Sequence, residues 1–200
     1  MEYKRIILDY TSLEPIIDDK TLDLHYNKHY KGYTDKLNKY LQEDNYDYKY
    51  NADYLANNID IIPINNRDEI LYNLGGYLNH SLYFYNLSNK TKDIPSELLN
   101  EINNNFGSYD NFKEEFITLA KDLKGSGYTF LVVDKNNKLK IINTSNQDTP
   151  YYFGYTPIMT IDVWEHSYYL KYNNNRDIYL NEIFKIIDWD KVYNLYKSTI

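Results

Sequence analysis

The chain has 200 residues, enough for one compact unit or two small lobes sharing a core. Its formal net charge of -7 argues against nucleic acid as a main partner, because phosphate binding needs a basic face. With no cysteine it has no disulfide, iron–sulfur cluster or thiol catalysis, and no run approaches the roughly 18 apolar residues of a membrane span.

In chain order, Met1 to Arg5 lead into only a brief apolar pair, Ile6-Ile7, which is no signal-peptide core. The expectation is therefore a soluble cytoplasmic protein. After Pro15, Asp18 or Asp19 can cap a helix running to about Leu41, with Leu22, Tyr26, Tyr30, Tyr33 and Leu37 at helical spacing. Residues from about Glu43 to Asn66 are rich in Asn, Asp and Tyr and predict a shorter helix with irregular joins. A second long helix is predicted from Arg67 to about Leu87, a third between Pro95 and Gly107, and a fourth, capped by Ser108 or Asp110, to about Leu123. Gly125-Ser126-Gly127 then opens a strand, Tyr128 to Val133. A turn at Lys135 to Lys138 leads into a second strand, Leu139 to Asn143. Pro157 to Val163 is a third apolar run, and two short helices, Ile178–Ile187 and Asp190–Tyr196, finish the chain. Helices followed by helices around a small antiparallel sheet make an α+β protein with a helical N-terminal lobe.

His25, His29, His80 and His166 are all the histidines present, and Asp162 stands four residues before the last. A site of three histidines and one carboxylate, without sulfur, suits manganese, iron or zinc better than soft metals. His25, His29 and Tyr33 fall at i, i+4 and i+8 and share a helix face. One of the two histidines is then placed to ligate while the other lies a turn away; the alternative is a pair of core-edge histidines with satisfied hydrogen bonds. Just before His80, Gly75-Gly76 occupies a helix interior, where each glycine costs about 1 kcal/mol relative to alanine. Such a pair points to a close approach to the backbone, or to a kink. Asp162 ends a strand and His166 follows at the strand-to-helix join, so both can point to one centre, with Trp164 as a wall. Glu165 points elsewhere and needs a different partner. A metal-free Asp-His dyad is the alternative, but no serine lies in a nucleophile setting.

The segments D-V-W-E-H-S-Y-Y (162–169), L-H-Y-N-K-H-Y (24–30), G-G-Y-L-N-H-S-L (75–82), F-G-S-Y-D-N-F-K-E-E-F (106–116), G-S-G-Y (125–128), N-Q-D-T-P (146–150) and D-W-D-K-V (188–192) carry a resemblance, together with Leu13-Glu14-Pro15. In this order they resemble the iron/manganese superoxide dismutases over nearly the full length. The resemblance implies a helical hairpin domain over 1–90, an α+β domain with a three-stranded antiparallel sheet over 91–200, and a metal site between them. It implies His25, His80, Asp162 and His166 as ligands of one ion per subunit, with water or hydroxide as a fifth. His29 and Tyr33 match the pair at the mouth of the substrate funnel. Glu165 matches the residue that reaches His166 of the partner subunit, and Tyr169 the one whose hydroxyl meets His29 of the partner subunit. These reciprocal contacts imply a two-fold homodimer, with a tetramer as the alternative.

The implied reaction converts superoxide to dioxygen and hydrogen peroxide. Gln147 matches the glutamine that bonds to metal-bound solvent and tunes the redox potential. Its origin in the C-terminal lobe, with Gly76 on the histidine helix, is the manganese-type arrangement; iron is the alternative. Gln147 and Tyr33 would govern proton supply, and Lys28 and Arg176 are the cations placed to draw in the anion. Two aromatic positions depart from the family pattern, Tyr128 and Phe84 standing where tryptophan is usual. The paired C-terminal arginines appear as Asn175-Arg176, and Ile6 to Tyr10 replaces a proline-rich N-terminal segment. A reading from another class is a structural or coat-associated protein, motivated by 25 tyrosines open to oxidative cross-linking.

Overall fold

The computed structural model describes residues 1–90 and 93–199. The first long helix opens as expected at Asp18, whose carboxylate accepts from the Thr21 amide (2.9 Å) and hydroxyl (2.6 Å). It is not uniform. Helix α1 (Asp19–Leu24) passes into a π-helical stretch, His25–Tyr30, and then into α2 (Lys31–Glu43). A π stretch closes i→i+5 bonds, so side chains four apart there are no longer stacked as in an α-helix. This lets His25 turn fully inward while His29 remains half-buried.

Helix α3 (Ala52–Asn57), capped by Asn51, is the short helix expected in the Asn-rich stretch, and a 3-10 turn at Ile59–Ile61 makes the irregular join. Helix α4 (Arg67–Tyr85) packs along α2. Leu37, Leu41, Leu55, Ile70 and Leu74 bury the seam of this helical lobe. The N-terminal segment forms no strand. It crosses the hairpin and is pinned by tyrosines: the Ile6 amide donates to the Tyr30 hydroxyl (3.2 Å), the Tyr26 hydroxyl to Ile6 O (2.6 Å) and the Tyr10 hydroxyl to Phe84 O (3.0 Å).

The second lobe begins with α5 (Ser96–Phe106), ended at Gly107, and α6 (Tyr109–Asp122), capped by Ser108 through the Asn111 amide (3.1 Å). The three strands are β1 (Gly127–Val133), β2 (Leu139–Ser145) and β3 (Thr156–Asp162), antiparallel in the order β2-β1-β3. All seven residues of β1 are buried, as a central strand covered on both faces requires. Helices α7 (Tyr169–Tyr172), α8 (Arg176–Ile183) and α9 (Trp189–Lys197) complete the chain, α8 passing into a 3-10 turn at Phe184–Ile186. The main core joins Phe112, Phe116, Leu131, Ile161, Ile183 and Trp189. The architecture is thus α+β, a helical lobe followed by a lobe with a three-stranded antiparallel sheet. The expected boundary after residue 90 meets residues outside the described ones. Among the described residues no helix is long and apolar enough to cross a membrane.

Candidate metal centre

Four elements deliver one side chain each to a common point. His25 comes from the π-helical stretch, His80 from α4, Asp162 from the last position of β3, and His166 from a 3-10 turn at Glu165–Ser167. One ligand atom from each lies within 4.8 Å of the others. His25, His80 and Asp162 are buried, and His166 is 16% exposed.

The free atoms are fixed by what the others do. The His80 Nδ1–H donates to Gly76 O at 2.6 Å, which leaves Nε2 as the bare nitrogen. Asp162 Oδ1 accepts from the Trp164 amide at 2.7 Å, leaving Oδ2 to face the imidazoles. Oδ2 stands 3.1 Å from His25 Nε2 and 3.4 Å from His166 Nε2, out of line for hydrogen bonding. All four atoms, three Nε2 and one Oδ2, are buried without a hydrogen-bond partner.

Burial sets the charges. It lowers the His25 pKa to about 4, although Asp162 pulls the other way. It likewise pushes His80 well below the usual histidine value. For Asp162, burial acts to raise the pKa, but His166 and His25 together outweigh it and hold the carboxylate well below its ordinary range. An anionic oxygen facing three imidazole nitrogens, all buried and unpartnered, is a costly arrangement unless a cation binds there. The donor set, three nitrogens and one oxygen, fits manganese or iron.

The other sequence-selected residues surround this point. His29 stacks on His166, ring centroids 4.0 Å apart and planes at 12°. Tyr33 packs 5.1 Å from the His80 ring, and its hydroxyl accepts from Gln147 Nε2 at 3.1 Å. The glycine pair is explained by close approach. A Cβ on Gly76 would lie 2.5 Å from the Tyr33 ring, and one on Gly75 would lie 1.9 Å from Gln147 O. Burial, reinforced by Tyr72, raises the Tyr33 pKa, so its phenol stays protonated at neutral pH.

Tyr128 pairs with Asp162 across β1 and β3, and its hydroxyl lies 3.4 Å from His80 Nδ1. Burial and then Asp162 raise its pKa far above the usual tyrosine value, so it too stays a neutral donor. Phe84 contacts the His25 ring at 4.9 Å. Arg176 is half-buried and already engaged, donating to Leu123 O (2.7 Å), Gly125 O (3.1 Å) and the Tyr168 hydroxyl (3.2 Å). Lys28, Glu165 and Tyr169 are exposed.

Sequence reasoning missed Tyr179, whose hydroxyl donates to the Asp162 carbonyl at 2.9 Å and lies 3.3 Å from that of Tyr83. It also missed Asn79, which bonds the turn carrying Gln147. Among 25 tyrosines no local pattern singles out Tyr179, whereas Asn79 stands next to His80 and adjacency alone could have flagged it.

Comparison with known proteins agrees with this geometry. Residues 2–88 match the family model for the alpha-hairpin domain of iron/manganese superoxide dismutases, and residues 94–195 match the model for their C-terminal domain. The chain is 41% identical over 189 residues to the protein named superoxide dismutase [Mn/Fe] 2 of Staphylococcus aureus strain bovine RF122 / ET3-1, covering 94% of both chains. The same identity and coverage hold for its counterpart in strain Mu50 / ATCC 700699. The chain belongs to the iron/manganese superoxide dismutases, enzymes that convert superoxide to dioxygen and hydrogen peroxide at a single manganese or iron ion.

Proposed function

We propose that His25, His80 and His166, through Nε2, and Asp162, through Oδ2, hold the ion, one per subunit, and that manganese is the working metal. The observation that carries the ligand set is the four buried, unpartnered atoms within 4.8 Å. Manganese is favoured because Gln147 enters from the C-terminal half and meets Tyr33 over Gly76. When bound, the ion supplies one-electron oxidation and reduction of successive superoxide molecules. The protein's own part is in placing donors and protons. Gln147 Nε2 donates to the Tyr33 oxygen, so the phenolic hydrogen of Tyr33 is free to point at a reacting oxygen. Forming hydrogen peroxide consumes two protons, and half-buried Tyr33 and His29 stand between the centre and solvent to pass them. Lys28, exposed on the same helix, is the cation placed to steer the anion inward.

The two lobes are proposed as domains of 1–90 and 91–200 with the site between them. A homodimer, with a tetramer as the alternative, is supported by the exposed run after the metal site. The Glu165 side chain has no hydrogen bond or ion pair among the described residues, and Tyr169 and Leu170 are 46% and 54% exposed. In this assembly Glu165 meets His166 of the partner subunit, and Tyr169 meets His29 of the partner subunit. A cytoplasmic location is proposed with this reading. The deciding experiment strips the metal, reloads separate samples with manganese or iron, and assays each for superoxide dismutation with metal content measured alongside. Activity in the manganese form supports the assignment. An inactive manganese form beside an active iron form overturns it.

A further inference from the structure

The turn that carries Gln147 is held by side chains reaching its backbone carbonyls. Asn146 O accepts from Trp164 Nε1 at 3.0 Å, Gln147 O from Asn79 Nδ2 at 3.3 Å, and Asp148 O from Asn79 Nδ2 at 3.0 Å and from the Thr144 hydroxyl at 2.6 Å. Two of these donors come from the metal-site segments themselves. Asn79 is the residue before His80, and Trp164 lies between Asp162 and His166.

Asn79 is 1% exposed and its Oδ1 has no hydrogen-bond partner. Both groups that its amide reaches are carbonyls, so the nitrogen must be the atom that faces them. A buried, unpartnered amide oxygen costs free energy, and the two Nδ2 bonds are the offset on the same side chain. On the neighbouring turn of α4, the missing Cβ of Gly75 is what lets Gln147 O come this close, since a Cβ there would stand 1.9 Å from it. Asn79 pulls on the same carbonyl that Gly75 admits.

We infer that Asn79 is a positioning residue for the dismutation reaction: its amide locks the Asn146–Asp148 turn to the helix of His80 and so fixes where the Gln147 side chain stands relative to the metal centre and Tyr33. This inference rests on the reading of Gln147 as the residue that acts on the centre. The lock is specific in its chemistry, because it needs two N–H donors at one point. Serine is too short to reach both carbonyls, and aspartate presents oxygen to oxygen.

The test uses manganese-loaded protein and the variants Asn79→Ser, Thr144→Val and Gln147→Ala. Hydrogen exchange is followed by mass spectrometry at the Asn146 and Asp148 amides, which bond to Ser126 O and Ser145 O, with the β1 amides as reference. The visible absorption of the oxidised, metal-loaded protein is recorded beside it. In Asn79→Ser, exchange at the two turn amides rises about tenfold or more while β1 keeps its rate. The absorption band moves in the same direction as in Gln147→Ala. Unchanged exchange at the turn, or a rise shared equally by β1, overturns the inference. If Gln147→Ala leaves the band in place, the reading of Gln147 fails, and the exchange result still judges the lock by itself. Should Asn79→Ser not fold, Thr144→Val removes the other side-chain donor to Asp148 O. It is expected to speed the same two amides, and no change there would defeat the idea that side-chain donors hold the turn.

Discussion

The chemistry of this centre is set residue by residue by what each donor atom is denied. His80 is typical: its Nδ1–H is spent on Gly76 O, so only Nε2 remains to serve a cation. Removing it takes away one of the four donors and leaves the others too few to fill the site. His80→Ala is therefore expected to fold and to lose most of its metal, a larger effect than the roughly 10- to 100-fold affinity cost of losing a ligand's hydrogen-bond partner. Elemental analysis of the purified variant measures this, and full metal content would displace His80 from the site. The metal-free protein carries a pH signature as well. His25 is held neutral, with its pKa lowered to about 4 from an unfolded value near 6.5. The unfolded chain thus binds more protons between these values, and stability falls as pH drops through that window. The expected loss from His25 is about 3 kcal/mol across it. Below pH 4 protonation of Asp162, whose pKa is also depressed, continues the loss. Thermal unfolding of metal-free protein should be flat from pH 7 to 8 and decline from about 6.5 to 4. A flat profile through that range would refute the assignment of a neutral buried His25.

At the level of elements, the site depends on irregularities in regular structure. The π stretch His25–Tyr30 and the glycine pair of α4 both occur where two helices and a turn converge. π-helical segments are rare and recur at functional sites, because they re-aim a side chain without ending the helix. Gly75 and Gly76 spend helix propensity to admit the Gln147 carbonyl and the Tyr33 ring. Gly75→Ala would restore propensity and still be destabilising, since its methyl group meets backbone rather than the end of a flexible side chain. A net cost of about 1–3 kcal/mol is expected from this overpacking. Chemical denaturation of the loaded protein checks the sign, and a stabilised variant would mean that the turn yields freely. Tyr128 belongs to this scale too. Its place opposite Asp162 in the β1–β3 register brings a phenol, neutral by burial, to within 3.4 Å of His80.

For the whole molecule, the fold brings together residues from position 25 to position 166, and the surface beside them, at Glu165, Tyr169 and Leu170, is exposed. Glu165 and Tyr169 project from the segment that also supplies His166. If the proposed reciprocal contacts form, the interface and the metal centre share one piece of chain and depend on each other. Glu165→Ala is expected to raise the dimer dissociation constant by about tenfold or more, the usual result of leaving a buried polar partner unpaired. Sedimentation across a range of protein concentrations reads this, and an undisturbed dimer would remove Glu165 from the interface.

By itself the sequence determined the order of the long helices and strands, narrowed two caps to Asp18 or Asp19 and to Ser108 or Asp110, and set the three strands to within two residues. The four residues of the metal cluster came from motifs that resemble a known family, since spacing alone left His25 and His29 open. These are local signals: periodicity, capping chemistry, turn residues, and a few histidines grouped in distinctive motifs. Only the tertiary structure decided the π-helical turn, the path of Ile6 to Tyr10 and the reason for the glycine pair. It alone also gave the bonds from Tyr179 and Asn79 to Asp162 and the Gln147 turn. Each of those depends on partners 17 to 74 positions away in sequence or on packing that shifts a helix by one residue, and neither leaves a periodic trace. Tyrosine shows the limit most plainly. With 25 in the chain, composition cannot distinguish Tyr33 at the centre from a ring that merely fills the core, and only position in three dimensions separates them.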